Sequence, residues 1–260
     1  MDDTVAFVAQ TFKADFDYRP YRVHSSDIVP VFIVGMPRSG KTSLEQELCR
    51  HPDIADSKER DLRMYIDDDI FVRVDSVTSP TLKSKVQNFS TQRRKEYART
   101  YMDQVLSSLL LSIRPKYILN TLPLNYQNAG ILKLIFPNAR FIHMKRNPAD
   151  TCWFCYSKEF KNEYLFTNKL DVLGKYYRNY QRITQHWKSV LPEHWLDVEY
   201  EDLVTDPKTT VSRVLDFLGA LDDNWDALSP AVGQDLSTRY IGYWKNYEKH
   251  LQPLLKSLNE

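Results

Sequence analysis

The sequence is poor in glycine and cysteine, and neither sign of charge is in excess. It has 7 glycines and 3 cysteines in 260 residues, and 35 basic residues balance 34 acidic ones. This balance argues against a general nucleic-acid-binding protein, which carries a basic excess, but leaves room for one basic pocket that binds an anion. The low, odd cysteine count is typical of a reducing compartment. Cys152 and Cys155 form an isolated CxxC, so we interpret them as small buried residues of a helix and predict no metal site.

Long apolar runs are also missing. The longest, at 105–113, is shorter than the about 20 residues that span a membrane. The start, MDDTVAFVAQ, lacks the basic segment of a signal peptide. We therefore expect a cytoplasmic protein without a membrane partner. The composition, with 42% hydrophobic and 27% charged residues, suits a single domain over 1–260. The oligomeric state stays open.

Short apolar, β-branched runs alternate with segments of helical spacing, after a lead-in at 1–27 that shows no regular period. The apolar runs predict strands at 29–35, 116–120, 139–145 and within 195–203. The spaced segments predict helices at 41–50, about 91–113, 124–136, 148–160, about 171–190 and 207–217. The charged stretch 56–75 is expected as a surface helix or loop. This alternation predicts an α/β fold of the P-loop type, in three layers, with a central parallel sheet flanked by helices.

The turn GMPRSGKT at 35–42 lies between the first strand and the first helix. Such a turn presents backbone N–H groups and a helix N-terminus to an anion, and Gly35 and Gly40 let the backbone curl. Arg38 and Lys41 add charge, and Thr42 adds a hydroxyl. The string matches GxxxxGK[ST], the loop that binds nucleoside triphosphates. These residues alone do not decide whether the anion is a triphosphate with magnesium or a sulfated nucleotide.

Four segments in the same order resemble one family. PRSG with LEQEL and HPDI, FPNARFIHMKRNPADTCWFCY at 136–156, VEYEDLVTDP at 198–207 and IGYWKNYEKHLQPLL at 241–255 resemble sulfotransferases that use 3′-phosphoadenosine 5′-phosphosulfate (PAPS), in particular a bacterial branch similar to the tyrosylprotein sulfotransferases. The resemblance covers 29–255. The strands YILN and FIHM do not end in the acid that a triphosphate enzyme uses to hold magnesium.

The resemblance implies that the loop holds the 5′-phosphosulfate. Its contacts would come from Arg38, Ser39, Gly40, Lys41, Thr42 and Ser43. Arg38 is expected to neutralise charge on the sulfuryl oxygens as the S–O bond breaks. Lys41 stands where the family has Thr, and Thr121 stands where the family often has Lys. We therefore predict that Lys41 replaces the charge missing at Thr121; a lysine that only faces solvent is the alternative.

The resemblance also implies a site for the nucleotide's 3′-phosphate. Arg146 would bind it, Arg239 would add a contact, and Tyr200 would pack by the adenine. Phe154 occupies the place of a usual family Ser, which removes one hydroxyl contact; Ser157, one turn further on, is a possible replacement.

Glu59 is the candidate general base, because a Glu follows the loop arginine at this distance in the family and HPDIADSKE carries it here. A base removes the acceptor's proton as the O–S bond forms. His51 is a second candidate for this role.

The resemblance therefore implies sulfuryl transfer from PAPS, with 3′-phosphoadenosine 5′-phosphate (PAP) as product and no required metal. We expect a small hydroxylated acceptor, such as a secondary metabolite, rather than an amine or a protein tyrosine. The alternatives are a P-loop kinase that uses ATP and magnesium, and a nucleotide-binding protein without catalysis.

Overall fold

The computed structural model describes residues 2–18, 28–58, 60–65, 70–72, 80–109, 114–158, 160, 162–222, 225 and 231–260. The strands are β1 (Val29–Val34), β2 (Ile54–Asp56), β3 (Tyr117–Asn120), β4 (Arg140–Lys145) and β5 (Trp195–Glu199). The α-helices are α1 (Asp2–Thr11), α2 (Lys41–Leu48), α3 (Pro80–Gln87), α4 (Thr91–Ser108), α5 (Ala129–Ile135), α6 (Pro148–Tyr156), α7 (Leu170–Val190), α8 (Tyr200–Thr205), α9 (Pro207–Leu218) and α10 (Gln252–Asn259). Within these residues, no helix is long and apolar enough to cross a membrane.

The strands form one parallel sheet in the order β2-β3-β1-β4-β5. Successive side chains of a strand point to opposite faces, and both faces are covered. Phe32 packs in one apolar cluster with α1, α4, α5, α6, α7 and α10. Ile33, its neighbour, packs in a second cluster with α2, α8 and α9. The predicted three-layer α/β fold with a central parallel sheet is confirmed.

All strands run in the same direction, so their carboxyl ends meet at one edge of the sheet. β1 lies between β3 and β4: the chain passes from β1 to β2 and β3 on one side, and then crosses to β4 and β5 on the other side. A crevice forms at such a switch point, outside the carboxyl ends of the strands, and this is where α/β sheets bind ligands. The turn after β1, Thr121 after β3, Arg146 after β4 and Tyr200 after β5 all lie at this edge.

Several element predictions need correction. Residues of the N-terminal lead-in form α1, which packs on α7. Phe12, the residue after α1, contacts Trp187 of α7, with ring centroids 5.3 Å apart. β2 lies where only a turn and a charged segment were expected. The helix predicted at 124–136 is divided into a 3-10 helix, Pro123–Asn128, and α5. Tyr200 begins α8 and does not lie in the strand. The end of the helix predicted at about 91–113 falls partly outside the described residues.

Cys152 and Cys155 are fully buried on α6, as predicted. Burial raises the pKa of the Cys155 thiol to about 12, so the thiol is protonated at neutral pH. Its Sγ lies 3.2 Å from the carbonyl oxygen of Pro37. The helix after β4 is thereby packed against the turn after β1.

Candidate active site

The turn between β1 and α2 has an unusual backbone. Arg38 has a φ of 66°, in the left-handed region that non-glycine residues seldom adopt. Gly40 caps α2 with a φ of 95°, and a Cβ at this position would lie 2.4 Å from Cδ2 of Tyr200. Glycine is therefore required at residue 40, both by conformation and by the close approach of the Tyr200 ring. The ring of Tyr200 thus packs directly against the turn.

This turn forms one wall of a cavity of about 410 Å³. The other walls come from the carboxyl ends of β3, β4 and β5, from α6 and from residues 231–251, which precede α10 and are called the C-terminal segment here. The lining residues are Pro37, Arg38, Gly40, Lys41, Thr42, Ser43, Thr121, Pro123, Arg146, Phe154, Phe160, Tyr200 and Tyr240. The first turn of α2 has backbone N–H groups without a partner inside the helix. Together with the cationic side chains, they make this cavity suitable for an anion.

Lys41 is buried at the base of the turn. Its Nζ donates hydrogen bonds to the carbonyl oxygens of Met36 (2.8 Å) and Gly35 (3.2 Å). The Thr121 hydroxyl, at the end of β3, donates to Oε1 of Glu45 at 3.1 Å, and Glu45 lies on α2, the helix that begins at Lys41. Lys41 and Thr121 therefore line the same cavity from neighbouring segments, the turn after β1 and the end of β3.

Arg38 projects from the turn and is exposed. Its guanidinium carbon lies 5.5 Å from the ring centroid of Phe160, which also lines the cavity. A cation over an aromatic face at this distance is attracted by the negative face of the ring. Phe160 therefore favours the conformation in which the Arg38 guanidinium lies at the cavity.

Arg146, the first residue after β4, links two parts of the site. Its Nη1 donates to the Arg38 carbonyl oxygen (3.0 Å) and its Nη2 donates to the Tyr240 carbonyl oxygen (2.9 Å). The first bond fixes the strained turn, and the second fixes the C-terminal segment. Phe154 and Tyr200 cover the guanidinium, with its central carbon 4.6 Å and 4.3 Å from their ring centroids.

Arg146 carries a buried charge. It is 8% exposed, and burial lowers the pKa of its guanidinium. Among the described residues it forms no ion pair, and its Nε is buried without a hydrogen-bond partner. A buried cation without a counter-ion is costly unless it meets an anion. The cavity therefore has a place for negative charge beside Arg146 as well as at the turn.

The C-terminal segment is held at the cavity by Asp150 of α6. This fully buried carboxylate accepts hydrogen bonds from the backbone N–H groups of Gly242 (2.6 Å) and Trp244 (2.9 Å). Arg239 lies in the same segment, exposed, with its guanidinium carbon 4.4 Å from the ring centroid of Tyr240. Arg239 is thus adjacent to the cavity and does not line it.

The structure brings together most of the residues that the sequence indicated. Ser39 does not line the cavity; it is buried in the turn, and its Oγ has no hydrogen-bond partner in the described part of the chain. Glu59 lies outside the described residues. His51 does not line this cavity: it is buried, its Nδ1 accepts from the Asp53 backbone and its Nε2 lies 3.4 Å from Asp222. It is therefore not a suitable base for this site.

Two parts of the sequence interpretation change. Ser157 is exposed at the C-terminal end of α6 and does not line the cavity, so it does not replace the hydroxyl missing at Phe154. Sequence reasoning missed Tyr240 as part of the cavity. Its sequence signal is the enrichment of aromatic residues around it, with Tyr243, Trp244 and Tyr247 close behind.

Comparisons with known proteins identify the family of this chain. A model of the sulfotransferase family matches residues 30–224. The chain therefore belongs to the sulfotransferase family, which confirms the prediction made from the four segments.

Among the relatives is Protein-tyrosine sulfotransferase A of Caenorhabditis elegans, 24% identical over 240 residues, with 88% of this chain and 58% of that protein covered. An uncharacterized protein of Aquifex aeolicus is 27% identical over 251 residues, covering 89% of this chain and 32% of that protein. The chain thus spans between a third and three fifths of these two relatives. Among solved structures, sulfotransferase STF9 from Mycobacterium avium has the same fold, with a TM-score of 0.53, 15% identity and coverage of 98% of this chain and 82% of that one.

Proposed function

We propose that this protein transfers the sulfuryl group of PAPS to a hydroxyl of a small acceptor, such as a secondary metabolite, in the cytoplasm. The observation that carries the proposal is the pair of cationic places in one cavity: the turn with Arg38 and Lys41, and the buried Arg146, which forms no ion pair within the described part of the chain. A nucleotide with phosphate at both the 5′ and 3′ positions offers one anion to each place. Tyr200, between them, would pack beside the adenine.

The proposed reaction is an in-line displacement. The acceptor oxygen attacks sulfur, the bond between sulfur and the bridging phosphate oxygen breaks, and PAP leaves with the electron pair. Arg38 and the backbone N–H groups of the turn stabilise the negative charge that grows on the leaving oxygen. Glu59 takes the acceptor's proton. This role is supported by its place three residues after β2, whose carboxyl end lies at the same edge of the sheet.

A P-loop kinase is the alternative, because Lys41 completes the triphosphate pattern. Such an enzyme holds magnesium through an acid at the end of a neighbouring strand. The neighbours of β1 end in Asn120 and Lys145, and Lys145 is paired with Glu199 at 2.5 Å. The side chains at these strand ends do not fit a magnesium site, which favours the sulfotransferase proposal.

The experiment is an incubation of the protein with a small-molecule extract and PAPS in EDTA, followed by mass spectrometry. We expect one class of hydroxylated metabolite to gain the mass of one sulfuryl group, and Arg38→Ala to abolish the gain. A parallel incubation with ATP and magnesium serves as the comparison. A phosphoryl gain there, with none from PAPS, would support the kinase and refute the proposal.

A further inference from the structure

Asn120, the last residue of β3, is buried and uses all the hydrogen-bonding capacity of its side-chain amide. Its Nδ2 donates to the carbonyl oxygen of Arg60 (2.8 Å) and to the hydroxyl of Tyr101 (2.9 Å). Its Oδ1 accepts from the backbone N–H of Leu122 (3.2 Å) and from Nδ2 of Asn125 (2.8 Å). The orientation of the amide is fixed, because a carbonyl oxygen only accepts and a backbone N–H only donates. Asn120 therefore joins three segments: the chain after β2, α4 and the chain after β3.

The segment that carries Glu59 begins at the end of β2. Ser57 extends the pairing with β3, since its backbone N–H donates to the carbonyl oxygen of Leu119 at 2.9 Å. Lys58 has a φ of 57°, in the left-handed region, and its backbone N–H donates to Oδ1 of Asp56 at 2.5 Å. The backbone is therefore fixed up to the residue before Glu59.

Arg60, the residue after Glu59, is held through both its backbone and its side chain. Its carbonyl oxygen accepts from Asn120, and its Nε donates to Oγ of Ser108 at 3.2 Å. Ser108 is the last residue of α4, so the two bonds connect Arg60 to β3 and to α4. In the chain, Glu59 thus has a fixed residue on each side.

The same segment borders a second cavity, of about 770 Å³. Its lining includes Asp56 and Lys58, Ser108 of α4, and Thr42, which lines the first cavity as well. The chain before Glu59 therefore surrounds a space that reaches the turn after β1. A shift of this segment would move the base relative to the sulfuryl group, and a misplacement of about 1 Å can lower a rate by about 10²-fold.

We propose that Asn120 is a positioning residue for catalysis, whose hydrogen bond to Arg60 sets the place of Glu59 relative to the turn. The inference rests on the proposed function, since it takes Glu59 as the base. Asn120 lines neither cavity, so it acts through the chain and not by contact with the donor or the acceptor. Loss of its amide should therefore slow the reaction only while Glu59 acts as the base, and PAP should bind as before.

The test is a double-mutant cycle of the parent, Asn120→Ala, Glu59→Gln and the combined variant. It measures PAP release from PAPS, with the small-molecule extract as the source of acceptor, and the PAP dissociation constant by calorimetry. We expect Asn120→Ala to be about 10- to 100-fold slower than the parent, with a dissociation constant within about threefold. In the Glu59→Gln background the same substitution should cost less than about threefold, because the two residues act as one unit. Tyr101→Phe is the control: it removes the other acceptor of Nδ2, keeps the bond to Arg60, and should keep the parent rate within about twofold.

The outcomes separate this inference from the proposed function. If folded Asn120→Ala keeps the parent rate, slows both backgrounds equally, or is matched by Tyr101→Phe, the inference is wrong and the proposed function stands. If Asn120→Ala does not fold, Ser108→Ala decides, because it removes the second bond that holds Arg60. We then expect a rate about two- to tenfold lower, only in protein that has Glu59; an unchanged rate overturns the inference. If Glu59→Gln is as fast as the parent, the assignment of the base fails together with the inference, and a parent that releases no PAP refutes the proposed function itself.

Discussion

Exchanging the charge between Lys41 and Thr121 tests how this sulfotransferase differs from the usual pattern of its family. Lys41→Thr restores the usual turn and removes the only lysine among the residues that line the cavity in the described part of the chain. Thr121→Lys places a lysine at the end of β3, beside α2. The double variant moves the charge from the start of α2 to the end of β3, so it separates the need for a positive charge from the need for this lysine.

The structure sets the expected size of the effect. The Lys41 ammonium makes two hydrogen bonds to carbonyl oxygens of the turn, and hydrogen bonds of charged groups contribute about 1.5–3 kcal/mol each. Loss of one such interaction with the sulfuryl group in the transition state lowers turnover by about 10- to 150-fold. Adding Thr121→Lys to Lys41→Thr should restore about tenfold of the lost turnover. Recovery is expected to be incomplete because the substitution also removes the hydrogen bond from Thr121 to Glu45.

The assay is PAP release from PAPS in the presence of the acceptor, with urea unfolding of each variant to separate stability from catalysis. Lys41→Met is the matched variant, since it keeps a long unbranched side chain and loses the charge; it should be as slow as Lys41→Thr. Lys249→Thr, an exposed lysine of the C-terminal segment, should be as active as the parent. Full activity in both Lys41 variants would refute the role of this charge.

Three further predictions follow from single contacts. Gly40→Ala should lower the free energy of unfolding by about 1–3 kcal/mol in urea titrations, because φ is 95° and its Cβ would meet Tyr200; an unchanged midpoint would contradict this. Phe160→Leu should lower turnover by up to about fivefold by releasing Arg38, and Phe160→Tyr should not; equal rates in both would refute the contact. Burial, followed by nearby positive charge, lowers the pKa of His194 to about 4. Below about pH 6.5 the unfolded state therefore binds a proton that the folded state does not, so stability should fall from pH 6.5 toward 4, and His194→Gln should flatten this slope in urea titrations.

Much of the sheet was predictable because its main strands are continuous apolar runs. The sequence gives no such signal for β2, which has three residues and follows a His-Pro turn. The N-terminal helix was missed for a related reason: its buried face includes Thr4 and Thr11, and these polar residues interrupt the apolar pattern. Packing against α7 stabilises this helix, and a contact so distant in sequence leaves no local pattern.

The site was predictable to the extent that parallel strands bring their carboxyl ends together. That rule places the turn, Thr121 and Arg146 in one cavity. The rule does not show which residues surround the Arg146 guanidinium, because Phe154 and Tyr240 come from segments that are far apart in the chain. The rings of Phe154 and Tyr200 meet over Arg146 only through three-dimensional packing. The loss of a hydroxyl at residue 154 was therefore predictable from the sequence, whereas the contact of its ring with Arg146 was not.

The most direct test of the central claim, base-assisted sulfuryl transfer at this turn, is the turnover of Glu59→Gln measured beside its affinity for PAP. Glutamine keeps the volume of the side chain and removes the base, so we expect turnover to fall by about 10²- to 10⁴-fold while PAP affinity is nearly unchanged. Arg38→Ala should lower both quantities, since it removes charge from the bound nucleotide as well as from the transition state. Turnover of Glu59→Gln within a few-fold of the parent would contradict the account and place the base elsewhere.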